Sequence, residues 1–383
     1  MTADVAVIGG GLVGWAAAYE LARRDRRVIV VDRSDQGFAT QAGAGIIAPG
    51  LSFRAAPATW PLAMYAMRHY PQLLDSLAND DAGPTGYRTV GALHIAASES
   101  ESDGLPDILR TIEQRKAEGM GNIGEISLLT GAEARQLFPP LADLPGAVHI
   151  SGAAWLDGRL LRQALQNAAL KRGATLIDGS ASLSRQGNRI GVSVDGRAVM
   201  ADHVVIAAGA WSKALGAACG VAIPVYPQRG QILHLEMSTH DTTDWPIVEG
   251  HHTHYLLTFG PHRVVCGATR EHDSGFDLRL TAGGMHEVLG EALRVAPGLA
   301  NGTVAEWRVG LRPFSPDVLP MLGPVPGIDN LSVCTGHGPS GLTLGPGSAA
   351  AVVQGICGES PLLDLQPFSV ARFADRTDAL PTG

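Results

Sequence analysis

Lysine is the scarcest charged residue in this chain and occurs only as Lys116, Lys171 and Lys213 among 383 residues. Arginine therefore carries nearly all of the positive charge. Acidic residues outnumber basic ones by 37 to 29, which gives a net charge of −8. No run of lysine and arginine forms a basic stripe. Because nucleic-acid binding depends on such positive charge, we expect no nucleic acid among the partners.

Cysteines and long apolar runs are also few. Cys219, Cys266, Cys334 and Cys357 lie far apart, with no CxxC pair and no histidine at metal-ligand spacing, so we expect reduced thiols and no metal site. No apolar run approaches the roughly 20 residues that a membrane helix needs. The N-terminus lacks the pattern of a signal peptide. We expect a soluble, cytoplasmic protein with no integral membrane segment.

Residues 4–32 have the pattern of a strand, a glycine turn, a helix and a second strand. Gly9-Gly10-Gly11-Leu12-Val13-Gly14 fits the GxGxxG motif in the position that dinucleotide binding requires. The first glycine permits a tight turn, the second lets a pyrophosphate approach, and the third lets helix pack on strand. Asp32 ends the second strand, where a carboxylate accepts hydrogen bonds from ribose hydroxyls. The alternative to dinucleotide binding is a glycine turn with a purely structural role, beside an Asp32 that is exposed to solvent.

The rest of the chain alternates between two patterns. Helical spacing is found at 61–77, 160–169, 283–296 and from about 347 to 358. Short alternating strands occur at 232–235, 254–259 and 263–266, and such alternation indicates a half-exposed antiparallel sheet. The pattern predicts that the chain leaves the nucleotide-binding domain and returns to it twice.

Three further segments of small residues lie far apart in the sequence. They are Ala42–Ile47 (AGAGII), Ala207–Ser212 (AAGAWS) and Gly336–Gly341 (GHGPSG). Small residues let the backbone approach a ligand closely, whereas a simple NAD domain would continue with regular βα units. The spread favours a large cofactor that lies across the domain, and therefore FAD over NAD.

Together with Arg308-Val-Gly-Leu-Arg312-Pro, these segments resemble the D-amino-acid oxidase superfamily of flavoproteins. The resemblance covers nearly the whole chain and is strongest to the bacterial branch of glycine oxidase, sarcosine oxidase and D-amino-acid dehydrogenase. It implies an α/β fold with an α+β substrate domain.

In this fold a Rossmann-like FAD-binding domain (1–85, 151–226 and 307–383) is interrupted by a mostly antiparallel β-sheet substrate domain (86–150 and 227–306).

The resemblance also implies how FAD is bound. Sarcosine oxidases attach it covalently through a cysteine just after the arginine segment. Here Phe314, Ser315 and Pro316 follow, so we expect non-covalent FAD. The residues expected to bind it are Gly9, Gly11, Leu12, Val13, Gly14, Asp32, Arg33, Gly43, Ala44, Gly45, Ile46, Ala181, Ala208, Gly209, Trp211, Arg312, Gly336, His337, Gly338, Ser340, Gly341, Leu342 and Thr343.

Arg312 is expected to bind the substrate as well. In the family, the arginine of the GLRP segment anchors the substrate carboxylate, and a guanidinium fork binds two oxygens at once. The alternative interpretation of Arg312 is an arginine on the surface without a role in binding. Arg308 is a second candidate for the residue that binds the substrate carboxylate. Tyr255 and His254, at the start of a strand implied to reach the flavin, are the other candidate catalytic residues. A core tyrosine and a solvated histidine are equally compatible with this pattern.

The sequence leaves the role of His337 open and also contains a cluster of three histidines near residue 252. His337 either lines the flavin edge or caps its own turn. A metal site of His251, His252 and His254 is not expected, because strand alternation places neighbouring side chains on opposite faces.

The predicted function is FAD-dependent oxidation of a small amino acid or secondary amine acid. A hydride would leave the carbon next to the amine for flavin N5, giving an imine that hydrolyses to a 2-oxo acid without a side-chain base. The expected partners are this small molecule and an electron acceptor: oxygen, a quinone or another redox protein. The alternatives are an NAD(P)-dependent dehydrogenase and a flavoprotein acting on an RNA-linked amine, although the acidic balance disfavours the latter.

The missing lysines generate a prediction about the electron acceptor. Sarcosine oxidases of the family place a lysine beside the flavin to assist oxygen, and this chain has none after Lys213. We expect turnover with a dye or quinone to exceed turnover with oxygen under air. Hydrogen peroxide formation that matches dye reduction at saturating substrate would instead identify an ordinary oxidase.

Overall fold

Two eight-stranded sheets and a three-stranded one organise the computed structural model, which describes residues 2–53, 55–250 and 252–374. The strands are β1 (Thr2–Ile8), β2 (Val28–Asp32), β3 (Ile46–Ile47), β4 (Arg88–Thr89), β5 (Ala92–Ala96), β6 (Ile126–Thr130), β7 (Gly146–Ile150), β8 (Ala154–Trp155), β9 (Thr175–Asp178), β10 (Ala181–Gln186), β11 (Arg189–Val194), β12 (Arg197–Ile206), β13 (Tyr226–Glu236), β14 (Ile247–Glu249), β15 (Tyr255–Thr258), β16 (Arg263–Gly267), β17 (Thr303–Phe314), β18 (Met321–Pro324) and β19 (Leu331–Thr335).

The α-helices connect these strands and cover their faces. They are α1 (Leu12–Ala22), α2 (Ala39–Ala42), α3 (Trp60–Asn79), α4 (Glu99–Ser102), α5 (Leu105–Ala117), α6 (Gly131–Leu137), α7 (Gly158–Lys171), α8 (Ser212–Ala218), α9 (Ala282–Val295) and α10 (Gly341–Ile356). His251 lies outside the described residues.

The first sheet is a parallel sheet buried on both faces. Its central strands run in the order β9–β2–β1–β12–β19, all parallel, while β18 and the β10–β11 hairpin add antiparallel edges. Val5 and Val7 of β1 pack into one hydrophobic core, whereas Ala6 and Ile8 pack into another. The continuous apolar runs of β1 and β2 follow from this burial on two sides.

The second sheet runs in the order β17–β13–β16–β15–β14–β5–β7–β6. Every pairing in it is antiparallel except that of β14 with β5. This confirms the predicted mixed fold with a mostly antiparallel sheet. The expectation that the sheet is half exposed is wrong, because every residue of β15 and β16 after the first is buried. β13 is longer than the predicted 232–235 because all of its residues from Tyr226 to Glu236 pair with β17.

The sheets support the proposed division into domains. Residues 2–32, 175–206 and 321–335 supply the strands of the first sheet, and residues 92–150 and 226–314 supply those of the second. We propose that these two groups are the FAD-binding and substrate domains. β17 crosses the boundary placed at residue 307, so it carries residues from the second sheet to the first domain.

Helix α10 begins earlier than predicted, at Gly341 instead of about residue 347. Pro346 lies inside the helix and has no N–H, so the carbonyl of Leu342 lacks its usual donor four residues later. The hydroxyl of Tyr70 on α3 donates to that carbonyl instead. A contact distant in sequence thus makes the helical proline acceptable.

The glycines between β1 and α1 have different structural roles. Gly9 has φ +111°, and a Cβ there would lie 2.5 Å from the carbonyl oxygen of Ala207. A Cβ on Gly14 would lie 1.8 Å from the carbonyl oxygen of Gly9. At Gly11 the nearest atom to an added Cβ is Thr40 Oγ1 at 3.8 Å. The fold therefore requires glycine at 9 and 14, but not at 11.

This difference gives a matched pair of substitutions. Gly11 has extended backbone angles that valine also adopts, so we expect Gly11→Val to fold. The valine side chain would occupy the place of the pyrophosphate, and we expect colourless protein without FAD. Gly14→Ala should not fold, because its methyl group meets a backbone carbonyl. Absorbance and circular dichroism of the purified proteins measure both effects; soluble Gly11→Val with full FAD content would contradict the assignment.

Candidate active site

A cavity of about 530 Å³ lies where the two large sheets meet. At one end it touches the carboxyl ends of β1 and β2, at Ile8 and Asp32. At the other end it is walled by β13, β15 and β17 of the second sheet. Ligands of open parallel sheets bind beyond the carboxyl ends of the strands, so this cavity is the candidate site.

Most of the predicted site residues line this cavity. They are Gly9, Gly11, Leu12, Val13, Asp32, Arg33, Gly43, Ala44, Gly45, Ile46, Ala181, Ala208, Gly209, Trp211, Tyr255, Arg312, His337, Gly338, Gly341 and Leu342. Segments that are far apart in the sequence are thus brought to one surface.

The remaining predicted residues do not line the cavity. They are Gly14, Gly336, Ser340, Thr343 and His254. Thr343 Oγ1 donates to the carbonyl of Ile46 at 2.9 Å and so ties the Ala42–Ile47 loop to α10. His254 Nε2 lies 3.2 Å from Glu287 Oε1 on α9. Because neighbouring side chains of an extended segment point to opposite faces, His254 turns away while Tyr255 faces the cavity.

The turn before α1 fits the pyrophosphate of FAD. Gly11 is the N-cap and has no side chain, and the first turn of α1 carries no acidic residue that would repel an anion. Thr40 Oγ1 accepts a hydrogen bond from Leu12 N at 3.2 Å. Arg162 Nε donates to the carbonyl of Gly10 at 2.6 Å and fixes the turn from the other side. The helix N-terminus thus faces the cavity as an anion site.

Asp32 lines the end of the cavity where we propose that the ribose binds. A Cβ on Gly10 would lie 2.2 Å from its Oδ2, so the carboxylate rests directly on the turn. Its Oδ1 accepts a hydrogen bond from Ser34 N at 3.0 Å. The neighbouring wall is formed by residues 179–183. Together these features fit the adenosine half of FAD.

Arg312 lies in the wall at the opposite end. It pairs with Gln228 across β13 and β17, and a Cβ on Gly230 would be 2.5 Å from its Nη1. Nη1 donates to the carbonyl of Thr269 at 2.9 Å and to Gln228 Oε1 at 3.3 Å. Nε and Nη2 make no hydrogen bond to the part of the chain that the structure describes. Burial lowers the pKa of Arg312 to about 10, so the guanidinium remains charged at neutral pH.

Tyr255 faces the same end of the cavity. It pairs with Gly267, where a Cβ would lie 2.3 Å from the phenol oxygen, so glycine makes room for the ring. Burial raises the pKa of Tyr255 to about 12, although the positive charges of Arg312 and Arg270 act in the opposite direction. The phenol therefore keeps its proton at neutral pH and can donate a hydrogen bond.

His337 lines the cavity, and although it is the N-cap residue of the turn at 338–340, its side chain makes no capping hydrogen bond. It is 3% exposed, and its Nε2 has no hydrogen-bond partner among the described residues. Burial lowers the pKa of His337 to about 4, so the ring is neutral at physiological pH. A buried ring nitrogen without a partner is costly, and a polar edge of a bound cofactor would satisfy it.

Arg308 does not compete with Arg312 for an anion. Its guanidinium makes two hydrogen bonds to the carboxylate of Glu306, at 2.8 and 2.9 Å, and it does not line the cavity.

Sequence reasoning missed part of the wall. The additional lining residues include Gly10, Phe38, Thr40, Gly230, Arg270, Gly310 and Pro313. The sequence did contain an indication for Gly310, because alternate residues of a strand share one face and Gly310 lies two residues before Arg312 on β17. A Cβ there would be 2.7 Å from the Cβ of Ala42. Arg270 ends the small-residue segment that follows β16, a pattern similar to the other cofactor segments.

Lysines and cysteines are not part of the wall. Lys213 Nζ lies 4.3 Å from the ring centroid of Tyr226, and none of the three lysines lines the cavity. The predicted preference for an acceptor other than oxygen stays a prediction.

Within the described ranges, no group of three or more histidine, cysteine or acidic side chains could hold a metal ion. None of the described helices is long and apolar enough to cross a membrane.

Known proteins share this fold and much of this sequence. A family model for FAD-dependent oxidoreductases matches residues 4–354. The uncharacterized oxidoreductase YurR of Bacillus subtilis is 43% identical over 95% of this chain and 98% of its own length. Glycine oxidase of Geobacillus kaustophilus is 32% identical over 96% and 97%. The structure of iminodiacetate oxidase from Chelativorans sp. BNC1 has a TM-score of 0.91 and 39% identity, over 95% and 98%.

These matches extend over nearly the whole chain and decide against the NAD(P)-dependent alternative. The chain belongs to the D-amino-acid oxidase family of FAD-dependent oxidoreductases.

Proposed function

We propose that this protein oxidises a small amine that carries a carboxylate on the carbon next to its nitrogen. The ammonium proton first leaves to solvent, which frees the nitrogen lone pair. The carbon then loses a hydride, and the lone pair forms the C=N bond of an iminium ion, the protonated form of the imine. Water then adds to the imine and the C–N bond breaks, which gives a 2-oxo acid and an amine. FAD, when bound, supplies the two-electron acceptor for this oxidation.

The observation that carries this proposal is the charge of Arg312 in the cavity wall. The protein holds its Nη1 through Thr269 and Gln228, while Nε and Nη2 have no partner among the described residues. Nε and Nη2 lie on the same edge of the guanidinium, so together they can bind both oxygens of a carboxylate. Since a partly buried cation without a counter-ion is costly, an anionic substrate would stabilise the site.

Tyr255 supports the same role. Its protonated phenol lies near the positive charge of Arg312 and can donate a third hydrogen bond to the substrate carboxylate. The substrate would then be held at its acid group, so that the neighbouring C–H bond has one orientation in the cavity.

The cavity offers no strong base at this end. The titratable side chains there are Tyr255, Arg270, Arg312 and His337, and the neutral His337 has a pKa of only about 4. A proton removed from the substrate nitrogen would pass to solvent instead. This favours departure of the hydride from an amine that is already neutral.

The relatives make a carboxylate-bearing amine a reasonable substrate class. The names of two of them, glycine oxidase and iminodiacetate oxidase, refer to small amines with at least one carboxylate. Non-covalent FAD also remains our proposal, and the absence of cysteine from the described cavity wall supports it.

Removal of the Arg312 guanidinium tests the anchor. We expect Arg312→Ala to lose about 2–5 kcal/mol of substrate interaction, as when one partner of a buried charge pair is truncated. Arg312→Lys should recover little, because an ammonium cannot reproduce the planar fork. Stopped-flow reduction of the flavin by the best amino acid and by its decarboxylated amine measures the effect.

The two substrates give the control. The wild type should strongly prefer the acid, and Arg312→Ala should lose that preference while it keeps bound FAD. An equal preference in both proteins would contradict the anchor. Arg308→Ala is a matched control, because Arg308 is bound to Glu306 outside the cavity and should leave the preference for the acid unchanged.

A further inference from the structure

Uncharged groups hold the guanidinium of Arg312 from behind the cavity wall. Gln228 lies opposite Arg312 in the pairing of β13 with β17, is 2% exposed and does not line the cavity. Its Oε1 accepts a hydrogen bond from Arg312 Nη1 at 3.3 Å, and the carbonyl of Thr269 accepts one from the same nitrogen at 2.9 Å. Both of these contacts fix the guanidinium in place without neutralising its charge.

A histidine determines which end of the Gln228 amide faces Arg312. Arginine only donates hydrogen bonds, so the amide oxygen faces it and the NH2 group points away. That NH2 nitrogen lies 2.9 Å from Nε2 of His272, the nearer of the two ring nitrogens. Because the NH2 group also only donates, His272 Nε2 is the acceptor and the ring is neutral with its proton on Nδ1.

The ring of His272 lies between this amide and the end of β17. It meets the ring of Phe314 edge-on, with the ring centroids 4.7 Å apart and an angle of 83° between the planes. An acceptor nitrogen is thus kept beside the NH2 group of Gln228, and the opposite orientation of the amide would lose both of its hydrogen bonds.

The carboxylate nearest in sequence to these groups is bound elsewhere. Glu271 accepts hydrogen bonds from Arg229 Nη2 at 2.6 Å, and from Gln231 Nε2 and Thr269 Oγ1 at 2.7 Å each. The acidic residues of the described cavity wall, Asp32 and Asp35, lie at or just after the end of β2, at the other end of the cavity. The charge of Arg312 therefore meets an amide where a carboxylate would bind it more strongly.

This choice of side chain has a physical consequence for ligand binding. A glutamate has nearly the same shape as a glutamine, and its carboxylate would make a stronger, charge-assisted hydrogen bond to Arg312. It would also be a permanent counter-ion, with which the carboxylate of a substrate would have to compete. A neutral amide gives up some strength in the internal contact and leaves the charge for the substrate.

We propose that Gln228 is a positioning residue that holds Arg312 in the cavity wall without neutralising it, and that His272 fixes the orientation of its amide. This inference rests on the proposed function, in which Arg312 binds the substrate carboxylate. Gln228 acts through Arg312 and does not take part in the chemical step.

An isosteric change of charge tests this role. Butyrate is a carboxylate without an amine to oxidise, and butyramide is its uncharged analogue. Titration of the FAD-loaded wild type, followed by flavin absorbance, should show that butyrate binds at least about 10-fold more tightly than butyramide. In Gln228→Glu this ratio should fall to near one, because the introduced carboxylate neutralises Arg312. A ratio in Gln228→Glu that equals that of the wild type would overturn the proposal.

Two further variants separate the charge from the contact. Gln228→Met removes the hydrogen bond to Arg312 but not its charge, so it should bind butyrate about 3- to 10-fold more weakly and still prefer it to butyramide. Unchanged affinity in Gln228→Met would overturn the positioning role, even if Gln228→Glu does not fold. Gln186→Glu adds the same charge at the exposed end of β10, outside the cavity wall, and should leave the ratio unchanged.

The part played by His272 has its own matched pair. His272→Leu removes the acceptor for the amide and should weaken butyrate binding by about 2- to 3-fold, as for the loss of one hydrogen bond at an exposed site. His272→Gln offers a carbonyl oxygen in its place and should restore binding. If His272→Leu binds butyrate as tightly as the wild type, His272 does not orient the amide.

Flavin reduction by sarcosine, measured by stopped flow, separates binding from chemistry. In Gln228→Glu the half-saturating concentration should rise at least about 10-fold, whereas the limiting rate should change less than about threefold, because the variant alters capture of the acid and not the reacting atoms. A large loss in the limiting rate with unchanged half-saturation would contradict a role in holding the anchor.

The wild type alone distinguishes failure of this inference from failure of the proposed function. If the wild type binds butyrate no more tightly than butyramide, the anchor at Arg312 is wrong, and the proposed function with it. If the wild type prefers butyrate and Gln228→Glu keeps that preference, the role of Gln228 is wrong and the anchor stands.

Discussion

A guanidinium held inside a cavity wall is the constraint on which the rest of this site depends. Arg312 can lie there because β17 pairs with β13 in a register that places Gly230 under it, and because the carbonyl of Thr269 holds one of its nitrogens. Burial lowers its pKa to about 10 but leaves it charged at neutral pH. The energetic cost of such a charge is offset most directly by a bound anion.

The two large sheets line opposite ends of the cavity. The parallel sheet leads into the glycine turn at Gly11 and ends at the carboxylate of Asp32, and we propose that this end binds the dinucleotide mainly through backbone and a helix N-terminus. Tyr255 and Arg312 lie on the antiparallel sheet and line the opposite end of the cavity. In this proposal, residues of the second sheet select the substrate, so the substrate preference can change without altering the cofactor site.

The sequence predicted the cofactor half of the site better than the substrate half. Gly9, Gly14 and Asp32 act through contacts between neighbouring segments, so a local motif identifies them. Arg312 was found through its resemblance to a family segment. Arg270 was missed as a lining residue because its position depends on the neighbouring Glu271, which exchanges backbone hydrogen bonds with Arg229, 42 residues earlier in the chain. The early start of α10 was missed for the same reason, since the Tyr70 hydroxyl that satisfies the Leu342 carbonyl is 272 residues away.

A crystal structure of the FAD-loaded protein with bound butyrate tests the central claim most directly. The account predicts that both carboxylate oxygens lie within about 2.7–3.0 Å of the guanidinium nitrogens of Arg312, with the hydroxyl of Tyr255 in hydrogen-bond range of one of them. A carboxylate bound elsewhere, with Arg312 still bonded only to Thr269 and Gln228, would contradict it.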